Sequence, residues 1–339
     1  MNEGQAWPIV GHENAVNFLK ESIRRGKVAH AYLFAGSSGI GKSIVAESFA
    51  KSLFCGNIDP CRECIHCRYF VKGIHPDFYR LELGKDEETG KEKKNIGVGE
   101  IRELRERLSE GALLGSYKVA ILDGAEMLSE GAANALLKVL EEPRPKTVFI
   151  LLASDVKSVL PTIASRTQIM RFLPVRRLEI YKYLLGLGSE RKEAEDLAAL
   201  SGGLAGKAIM FKKNPELFDE YKDRVNSFLA ILESDLNGGF KEIGRFFGEK
   251  KNTLDRAGRN KIFSAWHSLL RDILLIKGGM GGHIENVFVF DRLSRAAVKF
   301  DITKSAKLIE SLLSARASID ANVRDRLALE NFAVSAKMG

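Results

Sequence analysis

The spacing of apolar residues predicts alternating strands and helices along the first half of the chain. Short runs of apolar residues suit strands that are covered on both faces of a parallel sheet. Such strands are predicted at Ala31–Ala35, Tyr79–Leu83, Lys118–Asp123 and Thr147–Ser154. Between the strands, apolar residues three and four positions apart mark one face of a helix. Helices are predicted at residues 13–25, 42–53, 100–110 and 132–143. The pattern therefore predicts an α/β fold in which helices flank a parallel sheet.

The second half of the chain has the pattern of a helical bundle. A wide apolar stripe recurs at alternating steps of four and three residues on one helix, at Ile262, Trp266, Leu269, Ile273 and Ile276. Ile309 and Leu313 continue the pattern on a later helix. We interpret most of these residues as the internal core of the bundle.

Length and composition agree with a soluble protein of several domains. A chain of 339 residues exceeds the roughly 100–200 residues of a single domain. The predicted domains are α/β at residues 1–170, small and helical at 171–213, and all-helical at 218–339. A content of 45% hydrophobic and 28% charged residues excludes a disordered, collagen-like or disulfide-framework protein. The longest apolar run, Val148–Ala153, is far too short to span a bilayer.

The N-terminal sequence and the charges add further expectations. The N-terminus has no basic segment followed by an apolar one, so a cytoplasmic location is expected. The net charge of +8 is compatible with a nucleic-acid partner but does not require one. Residues 85–94 mix acids and bases, which favours a solvated hairpin or loop over a DNA-binding patch.

The sharpest motif is a glycine-rich loop that matches G-x4-G-K-[ST] between a predicted strand and a predicted helix. Its defining residues are Gly36, Gly39, Gly41, Lys42 and Ser43. The glycines let backbone N–H groups turn toward phosphate oxygens, and the helix N-terminus adds partial positive charge. Lys42 would reach the β- and γ-phosphates and Ser43 would bind Mg²⁺. The loop therefore predicts binding of ATP with Mg²⁺, and the alternative is a glycine-rich turn that binds no ligand.

A P-loop site also needs an acid at the end of a second strand. Asp123 ends the strand predicted at residues 118–123 and fills this role. The alternative is that Asp123 only caps the helix that follows.

All the cysteines of the chain fall in one short segment with the spacing C-x5-C-x2-C-x2-C. They are Cys55, Cys61, Cys64 and Cys67. Disulfides are not expected in a reducing cytoplasm, and four thiolates can surround one Zn²⁺ tetrahedrally. With four protein ligands the zinc site would be closed, hence structural. The alternatives are four reduced thiols, a redox pair, or a site in which His66 competes as a ligand.

Taken together, these motifs resemble the bacterial DNA polymerase III clamp-loader subunits of the AAA+ class. The resemblance covers residues 7 to about 213 and rests on the P-loop, the cysteines and four further blocks, His30–Phe34, His75–Asp77, Asn134–Pro143 and Ser165-Arg166. It implies an AAA+ nucleotide-binding domain with an inserted zinc module, a helical lid at 171–213 and a collar at 218–339 that joins subunits. It also implies that Ile9 and Val10 lie near the adenine.

Within this family, the departures favour the delta-prime type over the motor type, gamma/tau. Motor subunits carry a glutamate where this chain has Gly124, and the nearby Glu126 would project differently. They also carry a lid arginine that senses the γ-phosphate where this chain has Gly206. The resemblance therefore implies little or no ATPase activity by the chain alone. Delta-prime P-loops are often degenerate, whereas this one is intact, so ATP binding remains expected.

The resemblance assigns the central role to Arg166, which in this family reaches the γ-phosphate of a neighbouring subunit's ATP. The alternative is a surface salt bridge worth about 0–1 kcal/mol. The implied function is that of a stator in the DNA polymerase III (nucleotidyltransferase) holoenzyme, assembled with gamma/tau and delta, which loads the sliding clamp onto primer–template DNA without a membrane partner. One alternative is an active AAA+ motor ATPase of the same loader. Another is a nucleotide kinase or GTPase, against which the zinc insertion, the helical C-terminal half and the Ser-Arg motif argue.

Overall fold

The computed structural model describes residues 7–84, 93–247 and 254–338. These residues form two compact units. The first unit contains the chain up to Leu187 together with Gly203–Lys207, and the second contains Gly188–Gly202 and the chain from Ala208 onward. Most of the charge-rich stretch at 85–94, predicted as a solvated loop, lies outside the described residues. The finer division into three domains stays a prediction.

The first unit is built on a five-stranded parallel sheet with the strand order β2-β3-β4-β1-β5. The strands are β1 Ala31–Ala35, β2 Phe78–Leu81, β3 Lys118–Asp123, β4 Thr147–Ala153 and β5 Gln168–Arg171. The four predicted strands are confirmed to within a few residues. The edge strand β5 was not predicted, because only Met170 among its residues is buried and no apolar run marks it.

Helices cover both faces of this sheet. They are α1 Glu13–Arg24, α2 Lys42–Cys55, α3 Ile65–Val71, α4 Val98–Ser109, α5 Glu130–Glu141 and α6 Pro161–Ala164, and α7 Arg177–Gly186 follows the last strand. Successive strand residues point to opposite faces, so neighbours in β1 enter different cores. Phe34 is buried in the core that contains Phe49 of α2, and Leu33 in the core that contains Leu136 of α5. The two cores fix the carboxyl ends of the strands, where α/β proteins bind ligands.

The second unit is helical throughout its regular structure. Its helices are α8 Arg191–Leu200, α9 Ala205–Lys213, which begins in the first unit, α10 Pro215–Glu233, α11 Leu236–Gly244, α12 Arg256–Lys277, α13 Phe290–Lys299, α14 Ile302–Asp320 and α15 Asp325–Met338. Asp235, Asp255 and Asp301 cap the N-termini of α11, α12 and α14 through their carboxylates, each cap being worth about 1 kcal/mol. Within the described residues, no helix combines the length and apolar character that crossing a bilayer requires.

The predicted apolar stripe of α12 is confirmed, whereas its continuation on α14 is wrong by one position. Ile262, Trp266, Leu269 and Ile273 are buried, and Ile276 is half-buried. On α14 the buried apolar residues are Leu308, Leu312, Ala315 and Ile319, while Ile309 is half-buried and Leu313 is 53% exposed. The sequence has apolar pairs at 308–309 and 312–313, so two adjacent apolar rows run along this helix. The row that contains residues 308 and 312 is the one buried in the core.

Candidate functional site

The glycine-rich loop joins β1 to α2 in the conformation that its glycines allow. The Gly36 N–H donates to the carbonyl oxygen of Ala153 over 3.1 Å, and a Cβ atom at Gly36 would lie 2.5 Å from the carbonyl oxygen of Phe172. Gly39 and Gly41 have φ values of 76° and 116°, a region that favours glycine. The loop therefore needs glycine at all three positions, and it ends at the N-terminus of α2.

The P-loop lysine, Lys42, lies over its own loop. Its Nζ atom donates to the carbonyl oxygens of Gly36 and Ser37 over 2.5 and 3.1 Å. Partial burial lowers the pKa of Lys42, and the nearby carboxylates of Asp123 and Glu126 oppose this effect. The lysine is thus part of the loop and within electrostatic reach of two acids.

The largest departure from expectation is Arg80 of β2, which the motifs did not indicate. Its Nη1 atom donates to Ser43 Oγ over 3.0 Å and to Glu47 Oε1 over 2.7 Å. Its Nη2 atom donates to Asp123 Oδ2 over 2.9 Å. Nε donates to Glu82 Oε2 over 3.3 Å. One guanidinium therefore joins the P-loop serine to the strand-end aspartate.

The turn after β3 ties the ends of two strands together. Gly124 has a φ of 85° and starts a single 3-10 turn over Ala125–Met127. The turn carries Glu126 to the end of β4, where its Oε1 atom accepts the N–H of Ser154 over 3.0 Å. Glu126 is thus hydrogen-bonded to the residue that follows β4, and the position directly after Asp123 is a glycine. Ser154 was not predicted as a site residue, although it is the polar residue that follows a buried strand.

Gly206, at the start of α9, contacts the P-loop through its backbone. Its N–H donates to the carbonyl oxygen of Gly39 over 2.8 Å. A Cβ atom at Gly206 would lie 2.6 Å from that same oxygen, closer than two such atoms can approach. The position therefore accepts no side chain in this arrangement, including the arginine that the motor subunits would carry.

The residues expected near the adenine lie beside the loop but mainly in the core. Val10 is buried, and Ile9 is half-buried against the core under α2. Next to them, His12 has a φ of 60° and its ring Nε2 lies 3.0 Å from the carbonyl oxygen of Ile40. Burial lowers the pKa of His12. A cleft lined by residues 11–15, Arg171, residues 173–176 and Glu179 adjoins this ring, and the adenine contacts of Ile9 and Val10 stay a prediction.

Arg166 lies in the turn between α6 and β5, at the surface of the first unit. Its Nη2 atom is 2.7 Å from Glu141 Oε1 at the end of α5, and its Nη1 donates to the carbonyl oxygen of Thr162 over 3.1 Å. The side chains of Arg166 and Glu141 are 38% and 50% exposed. The arginine is thus held in an exposed ion pair within its own chain.

The structure brings the four cysteines together at the end of α2 and the start of α3. Their sulfur atoms all lie within 4.8 Å of one another. Cys55 and Cys61 Sγ are 3.5 Å apart, and Cys64 and Cys55 Sγ are 3.9 Å apart. A tetrahedral zinc with Zn–S distances of about 2.3 Å would separate its sulfurs by about 3.8 Å. The donor set and its spacing fit one Zn²⁺.

Backbone N–H groups point at these sulfurs and change the ionisation of the thiols. The N–H of Cys61 donates to Cys55 Sγ, and that of Cys64 to Cys61 Sγ, each over 3.3 Å. The N–H groups of Cys64 and Glu63 lower the pKa of Cys61. Burial raises the pKa of Cys67. Bound metal would favour the thiolate form of every ligand.

The His-Pro-Asp block contacts the cysteine segment through His75, whose ring faces that of His66. His75 Nδ1 accepts the N–H of Asp77, so its Nε2 carries the proton and faces His66 Nδ1 over 3.1 Å. Burial lowers the pKa of His75 to about 4, which keeps the ring neutral. The Asp77 carboxylate accepts the N–H groups of Leu113 and Leu114 over 2.8 and 3.0 Å. His66 is therefore engaged by His75 and does not join the sulfur cluster.

Sequence comparisons find relatives among the subunits of bacterial DNA polymerase III. The family described as "DNA polymerase III, delta subunit" matches residues 11–176. Subunit delta' of Bacillus subtilis (strain 168) is 28% identical over 330 residues, 96% of this chain and 95% of that protein. Subunit delta' of Pseudomonas aeruginosa is 40% identical over 184 residues, 53% of this chain and 54% of that protein. Subunit tau of Bacillus subtilis is 34% identical over 199 residues, 58% of this chain and 33% of that protein.

The extent of these matches differs between relatives. The chain spans nearly the whole length of the Bacillus delta' subunit, about half of the Pseudomonas delta' subunit and a third of tau. The range matched by the family, residues 11–176, contains the P-loop, the cysteines and Arg166.

Proposed function

We propose that the chain is a bacterial DNA polymerase III clamp-loader subunit related to gamma and tau, and that it acts there as a delta-prime-like stator. A stator in this sense holds nucleotide without turning it over and supplies an arginine to the ATP site of a neighbouring subunit. The other members of the assembly would be gamma/tau and delta. Together they would place the sliding clamp on primer–template DNA.

The observation that carries the stator assignment is the contact of Gly206 with the P-loop. In the motor subunits of this family, the resemblance puts a γ-phosphate-sensing arginine at this position. Here the Gly206 N–H donates a hydrogen bond to the Gly39 carbonyl oxygen, and a side chain at position 206 would collide with that oxygen. Gly124 adds to the argument because it has no carboxylate to orient a water molecule, and Glu126 is bound to Ser154.

Binding of ATP is supported by the loop and by its lysine. The glycines hold the loop open in front of the α2 N-terminus, where N–H groups and the helix dipole attract phosphate. Lys42 donates to loop carbonyls that phosphate oxygens would replace as acceptors. A charged lysine gains more from an anionic phosphate than from neutral carbonyls.

A role for Arg166 at a neighbouring site is supported by its exposure and by its chemistry. The side chain is 38% exposed, and an exposed ion pair of this kind is worth about 0–1 kcal/mol. Arg166 could therefore leave Glu141 and bind a phosphate of a neighbouring subunit at little cost in free energy. A planar guanidinium can bind two phosphate oxygens and stays charged at every physiological pH.

Zinc is the metal that the cysteine cluster would hold. Cys55, Cys61, Cys64 and Cys67 would complete a four-coordinate site with no open position, so the metal would stabilise the fold and take no part in chemistry. The proposal for the module is thus structural.

An active motor of the same loader is the second candidate, favoured by the intact P-loop. A comparison of ATP binding with ATP turnover separates the two. The purified chain is expected to bind ATP in titration calorimetry and to release phosphate at a negligible rate. Lys42→Ala should abolish ATP binding. Lys51 lies on the same helix with its ammonium over the ring of Phe70, so Lys51→Ala should leave ATP binding unchanged.

Each other outcome has a definite consequence. Robust hydrolysis that Lys42→Ala abolishes would replace the stator with the motor. Absence of ATP binding by the unmodified chain would show that the P-loop is a structural turn.

A further inference from the structure

Ser43 and Asp123 are the two groups that would bind Mg²⁺ at a P-loop site, and in this chain both are occupied by Arg80. Arg80 Nη1 lies 3.0 Å from Ser43 Oγ, and Nη2 lies 2.9 Å from Asp123 Oδ2. Magnesium binds oxygen ligands at about 2.0–2.1 Å and requires near-octahedral geometry. An ion that bound both oxygens would have to share their space with a guanidinium of like charge. The donor set as arranged does not fit Mg²⁺.

We propose that the Arg80 guanidinium takes the place of the divalent cation at this site, so that ATP binds without Mg²⁺. The inference rests on the proposed nucleotide binding and specifies its cofactor requirement. The positive charge beside the phosphates would then come from Arg80 and not from a metal ion.

The surroundings of Arg80 hold it firmly at this place. Three carboxylates contact its guanidinium, those of Glu47 at 2.7 Å, Asp123 at 2.9 Å and Glu82 at 3.3 Å. Its side chain is only 29% exposed. Glu47 stands one helical turn after Ser43 on α2, and Asp123 ends the strand beside β2. Helix and sheet thus present their oxygens to the same cation from two sides.

The guanidinium also keeps a donor for a phosphate. Arginine has five N–H donors and stays protonated at every pH that the fold tolerates. Among the described residues, Nη2 donates to Asp123 alone, so one of its two hydrogens remains for a phosphate oxygen. Arg80 could therefore offset phosphate charge beside Lys42, as a metal would.

Removal of Arg80 would reverse the situation. Glu47 and Asp123 would face the same space without a cation, next to the Ser43 hydroxyl. Such a group of oxygen ligands is what Mg²⁺ and Mn²⁺ prefer. The variant Arg80→Leu should therefore gain a site for a divalent cation.

The test is a titration of ATP into the full-length protein with and without Mg²⁺. The magnesium-free buffer should be prepared from metal-free reagents without a chelator, because a chelator would also remove metal from the cysteine cluster. The unmodified protein is expected to bind ATP with the same affinity in both buffers. Arg80→Leu is expected to bind ATP about tenfold or more tightly with Mg²⁺ than without it, a difference of about 1.4 kcal/mol or more.

A second measurement needs no nucleotide. Mn²⁺ added to the nucleotide-free chain, followed by electron paramagnetic resonance, should remain free with the unmodified protein and become bound with Arg80→Leu. Arg107→Leu is the matched control, because Arg107 forms an exposed ion pair with Glu103 on α4. This variant should behave like the unmodified protein in both measurements.

The outcomes separate this inference from the proposed function. If the unmodified protein binds ATP at least tenfold more tightly with Mg²⁺, or itself binds Mn²⁺, Arg80 does not replace the metal, while ATP binding stands. If it binds ATP in neither buffer, nucleotide binding itself is wrong and the inference falls with it. The unmodified protein alone gives these results, so they do not depend on the folding of Arg80→Leu.

Discussion

Gly206 meets the P-loop through its backbone, and a methyl group at this position would lie 2.6 Å from the Gly39 carbonyl oxygen. Gly206→Ala should therefore push the Gly203–Lys207 segment away from the loop and lower the free energy of unfolding by about 1–3 kcal/mol, the usual cost of overpacking. ATP affinity should fall as well, because the loop loses the N–H that holds Gly39. Chemical denaturation and calorimetry measure the two effects.

Gly186→Ala is the matched control for this substitution. Gly186 ends α7 in the same unit, and a Cβ atom there would meet no other atom within 4 Å. Alanine at this site should leave stability unchanged or raise it slightly, since alanine is the better helix former. Equal stabilities of the two variants would show that Gly206 does not need its close contact with the loop.

Site residues that belong to a local motif could be predicted from the sequence, whereas residues that depend on strand pairing could not. Gly36, Lys42 and the cysteines have fixed spacings whose chemistry is the same in any fold. Arg80 stands 37 positions from Ser43 and 43 from Asp123, and they meet only because β2 pairs with β3 and α2 packs on the sheet. No periodicity or composition marks such an arginine.

At the scale of elements, the cysteine segment links the end of α2 to the start of α3. Cys55 is the last residue of α2, and Cys64 caps α3 by accepting the N–H of Cys67 on its sulfur. Each helix end thus contributes ligands, while the turn between them depends on Arg62 at a φ of 66°. A metal would join the two helices at the point where the chain leaves the P-loop helix.

The purified protein should contain about one Zn²⁺ for each chain, and Cys64→Ser should release it, because three thiolates and a hydroxyl bind zinc far more weakly than four thiolates. Metal analysis measures the zinc, and thermal unfolding measures its contribution to stability. Glu63→Gln, an exposed residue of the same turn, should retain the metal. Protein that is reduced, never exposed to a chelator and yet free of zinc would contradict the assignment. ATP binding should survive in Cys64→Ser, since the P-loop precedes the segment.

Elements were predicted well where one face is clearly apolar and poorly where it is not. The strands β1, β3 and β4 are buried almost throughout and match their predicted bounds closely. The edge strand β5 has one buried residue, and α14 carries two apolar rows of which the core uses only one. In both cases tertiary packing decides what the pattern leaves open.

At the scale of the whole molecule, the proposed chemistry belongs to one of the two units. The P-loop, Arg80, Asp123, Arg166 and the cysteines all lie in the first unit. The family match ends at residue 176, and the delta' subunit of Bacillus subtilis aligns with 96% of the chain. The second unit is held by a core around Trp266, Phe228 and Phe332. The sequence of the second unit therefore indicates which residues form its core. A surface that binds another subunit could not be predicted from one chain.

Arg166 provides the test of how the whole chain acts within an assembly. Arg166→Ala should leave the chain's own ATP binding unchanged, because the ion pair of the side chain with Glu141 and its hydrogen bond to Thr162 do not involve the P-loop. In a reconstituted loader it should lower the DNA-stimulated ATPase. An arginine that acts on a neighbour's phosphate can be worth about 10³–10⁵ in rate at its own site. Other sites would keep their arginines, so the total rate should fall only in part while clamp loading falls further.

Glu141→Gln is the control that separates a trans-acting arginine from a merely structural ion pair. Both Arg166→Ala and Glu141→Gln break the pair, which costs about 0–1 kcal/mol of stability, but only Arg166→Ala removes the guanidinium. Glu141→Gln loaders should therefore load clamps normally, and Arg166→Lys should restore activity only in part, since an ammonium cannot bind two phosphate oxygens in one plane. Loading at the unmodified rate by Arg166→Ala complexes that assemble normally would assign Arg166 to the surface of its own chain. Equal loss in Arg166→Ala and Glu141→Gln would assign the effect to the ion pair.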